Sequence, residues 1–123
     1  MSSEKKTRVF TVESKDTAAA MGSGDLEVLA TPALIAMIEN TAKESMREQL
    51  TTEESSVGIE IKLRHSAPTA VGKQVVCEVV LEQHEKAIFS FQFKALVDGQ
   101  MIASGTHKRA CVHTESFLQK LHY

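Results

Sequence analysis

Two rhythms divide this chain. Between residues 31 and 50, apolar positions recur at steps of three and four: Ile35, Ile38, Ala42, Met46 and Leu50. Ala33, Leu34, Ala36 and Met37 widen the stripe in the first half. That spacing predicts a helix over 31–50 whose first two turns are apolar nearly all round, as in a helix wrapped by something else. Thr31 and Pro32 mark its start: a threonine N-cap, then a proline whose missing N–H costs nothing in the first turn. Upstream, the β-branched run Thr7–Val12 predicts a short strand, residues 1–6 a frayed polar tail, and the glycine-bearing stretch 13–29 a loop or a lid.

From residue 57 the period becomes two. Val57, Ile59, Ile61, Leu63 and His65 share one predicted strand face, with Gly58, Glu60, Lys62 and Arg64 on the other. Val75 to Leu81 and Phe89 to Val97 continue the alternation, and Asp98-Gly99 marks a tight type I′ hairpin into a last strand ending near His113. Thr114 caps a short helix over 115–121. The order is strand, helix, then a four-stranded meander over 57–113. It predicts a single α+β domain over residues 1–123: a curled antiparallel sheet wrapped around one long central helix, the hotdog fold. A helix of that length spans about 28 Å. The open sheet edges predict a homodimer, paired across a two-fold axis.

Charge adds exclusions. With 14 Lys+Arg against 16 Asp+Glu and a net charge of −2, the chain has no basic stripe for nucleic acid. No apolar run approaches the roughly 20 residues a membrane helix needs, and no apolar stretch follows the polar N-terminus as a secretory signal would. A cytoplasmic protein with no membrane and no nucleic-acid partner is expected. Cys77 and Cys111 lie in separate apolar stretches and read as small hydrophobes. His107 and His113 are six apart, a spacing of no common metal site, so no metal is expected.

Three polar residues stand in apolar places. Glu39 flanks the helix stripe, either as a glutamate snorkelling to water or, if a sheet wraps the helix, as a partly desolvated base. His65 ends an inward strand face, either as a hydrogen-bonded structural histidine or as a donor to a reacting group. Thr31, at the helix start, lies about 12 Å along the axis from Glu39. The free N–H groups of Ala33 and Leu34 would face a developing oxyanion there.

The run Ala30-Thr31-Pro32-Ala33 to Glu39, then Gly58 and His65, then Gly105-Thr106-His107-Lys108-Arg109-Ala110, resembles the fluoroacetyl-CoA thioesterase family of hotdog proteins. The likeness runs from about Leu29 to the C-terminal helix. It implies hydrolysis of a small or medium acyl-CoA thioester with no cofactor, coenzyme A being part of the substrate. It also implies a site at a dimer interface, with Thr31, Glu39 and His65 as catalytic residues and Gly58, Ala33, Leu34 and Arg109 as substrate-binding ones. Glu39 would be general base or nucleophile. The family's fluoroacetyl-specific members carry phenylalanines before the helix; here no aromatic residue lies between Phe10 and Phe89, which points to another acyl group. Two rivals are a non-catalytic acyl-CoA binding module and an enoyl-CoA hydratase. The hydratase would want an Asp/His pair, and Asp25 has no histidine near it in sequence.

Overall fold

The computed structural model of the chain describes residues 5–121. Its order is β1 (Lys5–Thr11), α1 (Ala18–Met21), α2 (Thr31–Ser45), β2 (Glu54–His65), β3 (Gln74–Glu85), β4 (Ile88–Val97), β5 (Gln100–His113) and α3 (Thr114–Leu118). All five strands form one antiparallel sheet in the order β1-β3-β4-β5-β2. The sheet curls around α2, the hotdog fold. Leu34, Ile38, Ala42 and Met46 of the helix stripe pack with Val75, Cys77, Val79, Phe89, Phe91 and Ala95 of the strands, all at most 2% exposed. Alternation along β3 and β4 supplies this core: every second residue faces in.

Several boundaries differ from the pattern. Lys5 and Lys6 lie in β1, not in a tail, because pairing with Val80 and Val79 of β3 outweighs their low strand propensity; residues 1–4 lie outside the described residues. The strand after the helix begins at Glu54, not at 57, since its pairing with β5 runs to Glu54↔His113. The helix ends at Ser45, not near Leu50. Ser45 Oγ donates to the Ala42 carbonyl, Met46 N–H reaches the Lys43 carbonyl, and a 3-10 turn over Arg47–Gln49 follows. The four strands after the helix are not a simple meander. β3-β4-β5 form one, but β2 joins beyond β5, so the segment after His65 crosses the sheet to reach β3. Sequential strands are neighbours only about two-thirds of the time. The last helix covers Thr114–Leu118, with His113 rather than Thr114 as its N-cap, its ring accepting from Ser116 N–H.

Two local features match their chemistry closely. Asp98 and Gly99 take positive φ of 52° and 78°, as a type I′ turn requires. Residues 13–29 hold a 3-10 turn, then α1, capped by Thr17 at its start and by Gly22 in the left-handed region at its end. Bridges Thr17↔Leu29 and Val28↔Ala70 pin this excursion at its base, while Met21 and Leu26 stand exposed near its tip.

Candidate active site

Thr31 is the first helical residue; the N-cap is Ala30. Relieved of capping, the Thr31 hydroxyl faces β2 and lies 2.8 Å from His65 Nδ1. His65 Nε2 is buried without a hydrogen-bond partner. Burial holds this imidazole below its ordinary pKa, and the Ala67 backbone opposes the shift. The pair borders a cavity of about 340 Å³ between the helix start and the 13–29 excursion, with Ala18, Val28 and Pro32 in its wall. Leu34 N–H is not free, because with Ala30 as N-cap it donates to the Ala30 carbonyl at 3.0 Å, and its side chain is fully buried. Ala33 N–H precedes that first intrahelical bond.

Glu39 does not join this pair. Its carboxylate points to the middle of β2, toward Gly58 and Arg109. Gly58 and His65 are seven residues apart on one strand, roughly 20 Å. The contact depends on a β-bulge. Gly58 pairs with Arg109 and Glu60 with Lys108, leaving Ile59 unpaired and 51% exposed. The extra residue shifts the alternation, so Ile59 leaves the inward face and Gly58 takes its place on it. A Cβ at Gly58 would collide with Glu39 Oε2, and would lie 3.3 Å from His107 Cε1 and 3.4 Å from Arg109 Nη1. Only glycine lets the Glu39 carboxylate sit this close to the strand.

Arg109 is 6% exposed. It donates from Nε to Ser56 Oγ at 3.0 Å, from Nη2 to the Ser56 carbonyl at 3.1 Å, and from Nη1 to His107 Nε2 at 3.2 Å. Nη1 also stands 3.9 Å from Glu39 Oε2. Burial lowers the guanidinium pKa and the Glu39 charge opposes the shift. His107, 1% exposed, reaches the Glu60 carbonyl through Nδ1 at 2.9 Å. Metal-site spacing along the chain says nothing of His107. The period-two pattern Gly105, His107, Arg109 on the last strand was the signal that both polar side chains face inward. Among the described residues no cluster of three or more His, Cys, Asp or Glu could hold a metal ion. Cys77 is a free thiol pushed up to about 12 by burial, with Thr41 opposing the shift.

A curled sheet holding one helix defines a hotdog protein, and here a glutamate on that helix is set against a glycine and a buried arginine. The model of the fluoroacetyl-CoA-specific thioesterases matches residues 12–115, and the chain belongs to that family, which consists of hydrolases acting on acyl-CoA thioesters. It is 33% identical over 95 residues to the fluoroacetyl-CoA thioesterase of Streptantibioticus cattleyicolor, covering 77% of this chain and 68% of that protein. The solved structure of the fluoroacetyl-CoA thioesterase FlK superposes with a TM-score of 0.92 at 28% identity, over 98% of this chain and 94% of FlK. A hot-dog-like protein from Thermanaerovibrio acidaminovorans shares the fold, with a TM-score of 0.87 at 23% identity over 97% and 88% of the two chains.

Proposed function

We propose that this enzyme hydrolyses a small or medium acyl-CoA thioester at Glu39, in a site completed by a second copy of the chain. The observation that carries this reading is the Glu39 carboxylate, 40% exposed, seated directly against Gly58 and beside the buried Arg109. The thioester carbonyl binds on the exposed side of this carboxylate. Glu39 takes a proton from water as the water oxygen bonds to the carbonyl carbon, the C–S bond breaks and CoA thiolate and the acid leave; or Glu39 bonds to that carbon itself, CoA thiolate leaves, and water then cleaves the anhydride to release the acid and restore the carboxylate. The thiolate needs little protonation to depart. Thr31, His65 and the Ala33 N–H orient the carbonyl or the water, Gly58 and Arg109 hold the thioester, and coenzyme A enters as substrate.

Separation of the two groups supports the homodimer. β2 is an edge strand. Antiparallel pairing of two β2 edges carries the partner's His65 back toward Ser56 and Gly58, where Glu39 stands. Free Cys77 and Cys111 suit a reducing cytoplasm. The absence of aromatics from residues 13–29 supports an acyl group other than fluoroacetyl.

The test is a panel of acyl-CoAs incubated with the protein and a thiol reagent. Turnover of short or medium acyl groups is expected. Tight binding without release of CoA thiol would overturn catalysis and leave a binding module. Label found in Glu39 after single turnover in ¹⁸O-water identifies the nucleophilic route, with water attacking the Glu39 carbonyl of the anhydride.

A further inference from the structure

His107 is a buried histidine whose proton position follows from its neighbours. A carbonyl oxygen only accepts, so Nδ1, 2.9 Å from the Glu60 carbonyl, carries the hydrogen. A guanidinium only donates, so Nε2, 3.2 Å from Arg109 Nη1, is the acceptor. The ring is therefore neutral and in a single tautomer, and it lies along Phe91 with centroids 6.3 Å apart. Of the Arg109 donors, Ser56 takes that of Nε and one of the two on Nη2, and His107 takes one of Nη1. What remains facing Glu39 is a cation at 3.9 Å, beyond hydrogen-bond reach. A guanidinium free to turn pairs with a carboxylate through two parallel bonds, which would occupy both oxygens. Here it is tethered short of that.

We propose that His107 is a positioning residue for the Glu39 chemistry: by accepting from Arg109 Nη1 it holds the guanidinium short of bidentate pairing and keeps the Glu39 carboxylate available to react. This rests on the assignment of the chemistry to Glu39. Substrate is not touched by His107; its effect passes through Arg109.

Two measurements test it. Long-range ¹H–¹⁵N spectra of the imidazoles at neutral pH should show His107 neutral with the proton on Nδ1, and Arg109→Met should move its Nε2 resonance. An Nε2–H tautomer or an imidazolium would overturn the proposal, whatever the enzyme turns over. In the acyl-CoA assay, His107→Phe should lower kcat by about 10- to 100-fold, the usual scale for groups that orient a site residue, with KM little changed. His107→Gln, whose side-chain oxygen can accept from Arg109, should recover most of that loss. In an Arg109→Met background, His107→Phe should cost little more. A folded His107→Phe with kcat within about twofold of the parent, or a Gln variant as impaired as Phe, overturns the proposal. If the Phe variant does not fold, the Gln variant and the spectra decide. Failure of the parent to turn over any acyl-CoA is a different result and counts against the thioesterase reading instead.

Discussion

Replacing Glu39 by glutamine tests the chemistry and the electrostatics of the site in one protein. Glutamine keeps the shape of the side chain and its capacity for hydrogen bonds but removes basicity and most nucleophilicity. A positioned acid–base group is worth roughly 10²–10⁴ in rate, so kcat should fall within that range. The effect on stability follows from Arg109, which is buried and loses the Glu39 anion beside it. Unit charges near 4 Å attract by about 4 kcal/mol at an effective dielectric of ~20. With the Glu39 side chain 40% exposed, solvent screens most of this, leaving about 1 kcal/mol. Arg109 keeps its bonds to Ser56 and His107, so the larger penalty of a fully orphaned buried charge does not apply. Thiol release from acyl-CoA and urea unfolding, run on one preparation, read both quantities. Full turnover with unchanged stability would mean that Glu39 is a solvated flank residue, and would end its assignment as base or nucleophile.

Gly58→Ala should fold, because the closest atom its Cβ meets is the end of the flexible Glu39 side chain. Unfolding free energy should stay within about 1 kcal/mol while kcat falls at least about tenfold; a fully active variant would show that the seat of Glu39 against Gly58 is not needed. Mixing Glu39→Gln with His65→Ala subunits should restore roughly a quarter of parental activity, because half of randomly reassorted dimers carry one unmutated composite site. No gain on mixing would place the site within one chain. Stability should fall as pH drops below about 6.5. Burial depresses His107 and His65 from that ordinary value, so the unfolded chain binds protons that the folded one does not. Each histidine contributes at most about 1.4 kcal/mol per pH unit, and carboxylates such as Glu54, held low by the Thr51 backbone, add their loss only below about 4.5. Urea midpoints between about pH 5 and 7 should show the decline, flattened in His107→Gln; a flat parental profile would contradict neutral burial of these rings.

Regular periodicity carried the fold. Helix and strands were legible because each has one buried face, and Asp98-Gly99 identified a turn whose backbone demands those residues. What escaped the pattern was relational. Nothing local in β2 says that it joins the sheet beyond β5, and nothing in the alternation Val57 to His65 announces a bulge at Ile59. That bulge alone reassigned Gly58 to the inward face. Threonine caps well, so the pattern points to Thr31 as a cap, yet Ala30 holds that place and the Thr31 hydroxyl lies at His65. Metal-ligand spacing carries no information about His107, whose meaning lies in its strand face.

The exposed side of the helix and the open sheet edge are one feature. Thr31, Ile35 and Glu39, spaced four apart, run along a flank of α2 that the core leaves at least partly exposed, as does the bulged Ile59 of the adjoining edge strand. A carboxylate base gains strength as water is withdrawn from it, and a buried arginine holds its field only where solvent cannot screen it. In a lone chain Glu39 has the arginine but not the dryness. Under the dimer reading, pairing of the β2 edges supplies that dryness and returns a Thr31–His65 pair from the partner. Assembly would then create the electrostatic environment of the reaction as well as the contacts, so activity should fall with subunit dissociation on dilution even where each subunit stays folded.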